Sequence, residues 1–179
     1  MPDHTEQRIN HILSFSPAII YTCCASGDFG ATFVSDNILS CFGYSTEECL
    51  ENPCFWQDNI HPDDRERIFS DYDSIFINGH HVHEYRFRKK NGEYAWVLDE
   101  LRLILDSDGQ PAEIIGSWLD ITERKEAETA LQKSEALFKD FFQTNPVATI
   151  ITSVAGVIHV ANPAFIEKSG FTSEEVIGH

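Results

Sequence analysis

An acid set in the middle of an alternating apolar run is the richest chemical feature of this chain. From Tyr94 to Leu105, residues Ala95, Val97, Asp99, Leu101, Leu103 and Leu105 fall on one face of a strand. Tyr94, Trp96, Leu98, Glu100, Arg102 and Ile104 fall on the other. Both faces are apolar enough to be covered. A carboxylate on a covered face must meet donors, hold a proton, or see water or a ligand. The alternative is a bulge that turns Asp99 outward to an arginine. His80, His81 and His83 form a second grouping, with His81 and His83 on one strand face. Two imidazoles so placed can hold a transition metal. No third ligand accompanies them, and a solvated strand end is the other reading. A third grouping is Asp120-Ile121-Thr122-Glu123-Arg124. Thr122 suits the start of a helix as its cap, and Glu123 suits the first turn. Asp120 and Arg124 lie near enough in sequence to pair.

Composition narrows the chemistry. The chain has 179 residues, 42% hydrophobic and 12% aromatic, sufficient for one well-cored domain plus further elements. Its formal charge of −16, with acids dense between Glu47 and Asp73, repels nucleic-acid phosphates and anionic lipid. The five cysteines, Cys23, Cys24, Cys41, Cys49 and Cys54, are odd in number and lack metal-ligand spacing. Reduced thiols are expected, which points to a cytoplasmic segment. No apolar run reaches the length of a membrane span, so no direct membrane contact is expected here, although a parent protein can be anchored elsewhere.

The elements that must position these groups follow from local pattern. Thr5 to Leu13 reads as a short amphipathic helix. Ala18–Ala25 and Ala31–Ser35 read as strands around the turn Ser26-Gly27-Asp28-Phe29-Gly30. Asn37–Phe42 and Thr46–Leu50 read as short helices broken at Gly43, with Ser45 and Glu48 as a capping box. A longer helix opens at Pro62, with Asp63 and Asp64 in its first turn, and stops at Asn78-Gly79. Three strands follow, His81–Lys89, Tyr94–Leu105 and Ala112–Leu119, the first two joined by a two-residue turn at Asn91-Gly92. The sum is an α+β domain, a five-stranded antiparallel sheet with short helices on one face. The last strand runs without a loop into a helix over Glu123–Phe142. On it Arg124, Ala127, Leu131, Ser134, Phe138 and Phe141 make a coiled-coil-like seam, weakened by Arg124 and Ser134. A single helix packing its stripe on the sheet is the alternative.

The chain then repeats itself. Ser35-Asp36 and Gly43-Tyr44-Ser45-Thr46-Glu47-Glu48 match Asn162-Pro163 and Gly170-Phe171-Thr172-Ser173-Glu174-Glu175 at one common offset. The expected organisation is a flanking helix over 1–14, a complete domain over 15–122, a linker helix over 123–142, and the first part of a second domain over 143–179.

At His61-Pro62-Asp63-Asp64-Arg65, at Tyr85 through Val97, at Gly116 and at Asp120 through Lys125, the chain resembles the PAS domain superfamily. The likeness is to bacterial sensory modules with a PAC-type C-terminal half. It covers residues 15 to 125, and more weakly 134 to 179. It implies that the odd-numbered face of Tyr94–Leu105 points inward, with His83, Tyr85 and Phe87 on the preceding strand and Gly116 and Trp118 on the last. His83 and Tyr85 become the candidate partners of Asp99. The pocket candidates are Trp56, Tyr72, His83, Tyr85, Phe87, Val97, Asp99, Leu101 and Trp118. Trp118 either stacks on a planar ligand or, with Trp56, Phe55, Tyr72, Phe76 and Phe87, fills the core.

The resemblance also brings cofactors to weigh, and favours none. Light-sensing relatives carry Asn-Cys-Arg-Phe-Leu-Gln, whose thiol attacks flavin; here the stretch is Asn52-Pro53-Cys54-Phe55-Trp56-Gln57. A one-position shift rotates a helical side chain by about 100°. Phe87 stands where those proteins have a flavin-binding Asn. Haem-binding relatives take an axial His from the long helix, and Asp63–Ile77 has none. His61 reads as a cap. What the resemblance implies is a sensory input and relay segment of a multidomain protein of the histidine kinase or cyclic-dinucleotide type. A small ligand or redox state is the input, and Asp120, Thr122, Glu123 and Arg124 form the relay. A homodimer through the helices and an output domain on the same chain are the implied partners. A ligand-free scaffold and a flavin or haem sensor are the competing readings. Catalysis by this segment is not expected.

Overall fold

The computed structural model describes Arg8 and residues 11–27, 29–72 and 74–179. Asp28, Asp73 and most of the helix expected over Thr5–Leu13 lie outside the described residues, as does the side chain of Tyr72. The described chain divides into two units, Met1–Lys125 and Glu126–His179.

Period-two alternation builds the sheet of the first unit. Strand β1 (Ala18–Cys24) buries Ile19, Tyr21 and Cys23, and β2 (Ala31–Val34) returns beside it. Five short helices follow: α1 (Ile38–Phe42), α2 (Thr46–Glu51), α3 (Phe55–Asn59), α4 (Pro62–Tyr72) and α5 (Ser74–Asn78). They lead to β3 (His80–Arg88), β4 (Tyr94–Leu105) and β5 (Pro111–Asp120). The sheet order is β2-β1-β5-β4-β3, with every neighbouring pair antiparallel. The first and last strands therefore meet in the middle of the sheet. Ile38, Phe42, Cys49, Phe55, Ile68 and Ile75 come from the helices to join the inward sheet residues in one core. Each such Ile or Phe contributes roughly 1.5–3 kcal/mol by leaving water.

Two local readings are corrected. The β3–β4 connection is not a two-residue turn. Lys89 N–H bonds to Glu93 O at 2.7 Å and Gly92 N–H to Lys89 O at 2.9 Å, and only Gly92 takes positive φ. The β4–β5 connection repeats this arrangement between Asp106 and Gln110, with Gly109 at φ 78°. Second, α3 is a further short helix beyond those expected before Pro62.

In the second unit, α6 (Thr122–Thr144), whose first turn lies in the first unit, leads to β6 (Ile150–Thr152), β7 (Ile158–Ala161), α7 (Pro163–Ser169) and α8 (Ser173–Val176). The repeat holds at the level of hydrogen bonds. Gly43 and Gly170 both end their helices at positive φ, 83° and 77°. Ser45 with Glu48, and Thr172 with Glu175, both close capping boxes. In the first unit Asn37 donates its amide to Ser16 O and Ala18 O, while Ser35 Oγ accepts from Ile20 N. In the second unit Asn162 alone donates to Asn145 O and Val147 O and accepts from Thr149 N.

Candidate functional site

Asp99 points into the core of the first unit and is fully buried. Burial alternates along β4, with Ala95, Val97, Asp99 and Leu101 inside. The pattern fades at Leu103, which is half-buried, and at Leu105, which is exposed where the pairing with β5 slips. No bulge intervenes at Asp99.

Three donors answer the carboxylate. Tyr21 Oη donates to Oδ1 at 2.8 Å. Tyr85 Oη donates to Oδ2 at 2.9 Å, and His83 Nε2 lies 3.1 Å from the same oxygen. Tyr85 Oη in turn accepts from Trp56 Nε1 at 2.8 Å. The chain Trp56–Tyr85–Asp99–Tyr21 thus joins α3, β3, β4 and β1. Such a group is costly only when unpaired, and here its oxygens are well supplied. His83 stands opposite Asp99 on β3 and Trp118 opposite it on β5, so the three form one row across the sheet.

Tyr21 and Trp56 enter this network in different ways. Trp56 was a pocket candidate; Tyr21 was missed. Its signal was the alternation Ile19, Tyr21, Cys23, but its reach to Asp99 depends on β1 pairing with β5 across the whole domain. Gly116 makes that reach possible. It pairs with Tyr21, and a Cβ built on it would sit 2.3 Å from Tyr21 Cζ.

A cavity of ≈ 40 Å³ adjoins the network. Of the pocket candidates, Trp56, Leu101 and Trp118 line it. His83, Tyr85, Phe87, Val97 and Asp99 are not among its walls but are packed in the core. Trp118 lies 4.8 Å from the Phe87 ring and 5.0 Å from the Tyr21 ring, centroid to centroid. Aromatic side chains fill most of the space between sheet and helices. Trp118 Nε1, His83 Nδ1 and His81 Nε2 are buried without a hydrogen-bond partner.

The histidines separate by depth. His80 is exposed, while His81 shares a bond of 2.8 Å between its Nδ1 and Ser74 Oγ. Burial, then the neighbouring His83, hold His81 below its ordinary value of 6.5. Among the described residues no three His, Cys, Asp or Glu side chains converge as a metal site. His61 accepts the Asp63 N–H on its Nδ1 at 3.2 Å, just before α4. Cys54 is exposed at the start of α3. Cys49 lines the cavity, donates to Ser45 O, and is pushed up to about 12 by burial.

The start of α6 is tied to the sheet at several points. Ile121 N–H donates to Trp96 O at 2.8 Å, and Trp96 N–H donates to Thr122 Oγ1 at 3.0 Å. Thr122 therefore binds β4 instead of capping the helix. The cap is Asp120, whose Oδ1 accepts from Thr122 N at 2.9 Å and whose Oδ2 accepts from Lys89 Nζ at 3.1 Å. Burial raises the Asp120 carboxyl, but Thr122 and Lys89 outweigh it and leave it below the usual range. The expected Asp120–Arg124 pair is not formed. Arg124 bonds to Glu84 of β3, as does Lys125 at 2.5 Å. Lys125, then Arg124, hold the Glu84 carboxyl below its usual range. Glu123 is exposed in the first turn. Lys125 and Arg86 also lie over the Trp96 ring, at 5.3 and 5.6 Å. Arg86 is fixed by Asp64 of α4 through two side-chain bonds of 2.8 and 3.0 Å. Glu84 is the relay-side residue that sequence reading missed. Its signal was its place on the outward face of β3, beside His83.

Comparison with known proteins agrees with this architecture. Residues 31–118 match the family described as PAS fold, and residues 146–179 match the PAS domain family. The two-component sensor PprA of Pseudomonas aeruginosa is 25% identical over 96% of this chain and 18% of its own length. The sensor protein FixL of Bradyrhizobium diazoefficiens is 29% identical over 66% of this chain and 24% of its own. The chain thus spans less than a quarter of either relative. The crystal structure of a sensory box histidine kinase/response regulator from Burkholderia thailandensis superposes with a TM-score of 0.59 at 25% identity. That match covers 74% of this chain and 98% of that one. With a five-stranded antiparallel sheet in this order, helices on its face, and two family matches along its length, the chain belongs to the PAS domain superfamily.

Proposed function

We propose that this segment is the sensory input and relay part of a multidomain signalling protein. In this reading the state of the core reaches an output domain of the same chain through α6. The observation that carries it is the anchoring of the first turn of α6 to β3, β4 and the β3–β4 turn at once. A helix held by one strand can tilt independently of the rest of the sheet; one held at three places follows the sheet. Asp120, Thr122 and Arg124 hold it, with Glu84, and Glu123 favours the helix start electrostatically. The names of the relatives, a two-component sensor and a sensor protein, support a sensory role. A histidine kinase or cyclic-dinucleotide output, a cytoplasmic location and a homodimer through α6 belong to the same proposal. Among the described residues no helix is long and apolar enough to cross a membrane. A few kcal/mol of differential binding suffices to shift a two-state sensor.

The scaffold reading draws on a separate observation, the dense packing of Trp118 among Phe42, Phe87 and Tyr21. A flavin or haem does not fit a cavity of ≈ 40 Å³, since pockets for such groups run to several hundred Å³. The deciding experiment uses the full-length parent protein. Asp120→Ala is expected to change basal output by roughly fivefold or more, a shift of about 1 kcal/mol, with the far-UV spectrum preserved. Unaltered output in a folded variant contradicts the relay.

A further inference from the structure

We infer that the cavity of the first unit binds a small uncharged molecule presenting one hydrogen-bond acceptor, a carbonyl being the simplest, to the indole N–H of Trp118. The inference rests on the sensory reading for its biological meaning, but not for the binding itself.

The donors on the cavity wall decide the class. Trp56 gives its N–H to Tyr85, Tyr21 gives its hydroxyl proton to Asp99, and Cys49 gives its thiol proton to Ser45 O. Asn52 donates to Asp58 and accepts from Cys54 N. Trp118 is 5% exposed, lines the cavity, and its Nε1 has no partner. A buried N–H facing no acceptor is a standing cost that a fitting acceptor removes.

Charge is excluded by the same walls. No Lys, Arg or His lines the cavity, so an anion would sit uncompensated. The Asp99 carboxylate is not a wall residue, and its oxygens already take Tyr21, Tyr85 and His83, so a cation finds no counter-charge. The Cys49 thiol, pushed up to about 12, stays neutral. What remains is an apolar recess in which the Trp118 indole N–H is the buried nitrogen donor without a partner. At ≈ 40 Å³ it has room for about three water-sized groups, the scale of a three-carbon ketone or amide.

The test is a titration of the 179-residue protein, labelled with ¹⁵N at its tryptophans, with acetone and with isobutene, its hydrocarbon isostere. Acetone is expected to move the Trp118 indole N–H resonance saturably and to bind roughly fivefold tighter than isobutene, the worth of one net hydrogen bond. Trp118→Phe is expected to erase that preference while keeping weak binding of both. If Trp118→Phe does not fold, Val34→Met, which narrows the recess from β2, is expected to weaken both ligands. An indole signal that acetone leaves in place, or moves no more than isobutene does, overturns the inference and leaves a bound water as the partner. So does a preference that survives Trp118→Phe. Failure here leaves the Asp120→Ala experiment unaffected. Failure of Asp120→Ala with success here would give a binding pocket without a relay.

Discussion

Gly116 shows how much chemistry one missing side chain permits. Because nothing projects from it, the Tyr21 ring crosses β5 and its hydroxyl reaches Asp99. Gly116→Ala is expected to lower stability by roughly 1–3 kcal/mol in urea unfolding, as an overpacked core does. The same change in a Tyr21→Ala background is expected to cost less than half as much, because the clash is then gone. His81 gives a second residue-scale prediction. Burial and the facing His83 lower its proton affinity, opposed by Asp71 and Asp99, while Ser74 holds Nδ1. Below pH 6.5 the unfolded chain then binds more protons at this site than the folded one, so stability rises with pH through that window and is lost as pH falls. The urea midpoint is expected to drop between pH 6.5 and 5 more steeply in the natural protein than in His81→Gln. The carboxylates Asp64, Glu84 and Asp120 are held below their usual ranges, so their contribution fades only at more acid pH. At this scale, alternation put Asp99 on one strand face with Val97 and Leu101, and the resemblance to the PAS superfamily turned that face inward and made His83 and Tyr85 its candidate partners. Tyr21 was not, because strand neighbours far apart in sequence leave no local mark.

At the scale of elements, β3 and the start of α6 form one joint. The outer edge of β3 is partly covered, since its carbonyls at Glu84 and Arg86 accept from Arg67 Nη2 and His61 N at 2.7 and 2.8 Å. Covering an edge in this way removes a row of unpaired backbone groups. Thr122 contributes a hydroxyl to the backbone of β4, so Thr122→Val leaves the Trp96 amide without its acceptor. The expected cost is about 1–2 kcal/mol, with faster hydrogen exchange at Trp96 and in the first turn of α6. Exchange rates unchanged there would mean that the joint holds without the Thr122 hydroxyl. The sequence showed that a strand passes directly into a helix at Asp120. It did not show who pairs with whom. Nearness in sequence suggested Asp120 with Arg124, but Asp120 ends β5 and the hairpin brings Lys89 to it instead.

At the scale of the whole chain, the repeat was readable because capping residues and helix-ending glycines recur at one offset. The seam of α6 was readable too. Its apolar members Leu131, Phe138 and Phe141 are more than half exposed. Apolar groups at this spacing favour pairing with a like helix. Light scattering is expected to give a dimer, and Phe138→Glu to shift it toward monomer at equal helix content. A monomer in both cases removes α6 from the proposed dimer contact.

The two copies secure the same strap with different hardware. In the first, two polar side chains divide the work: the Asn37 amide holds Ser16 and Ala18, and the Ser35 hydroxyl holds Ile20 and leans on Asn37. In the second, a lone amide at Asn162 grips Asn145, Val147 and Thr149 and also caps α7 through Phe165 N. Losing that one group unfastens strand and helix together, with no understudy. Divided labour in one copy and a single fastening in the other make the latter the more brittle half.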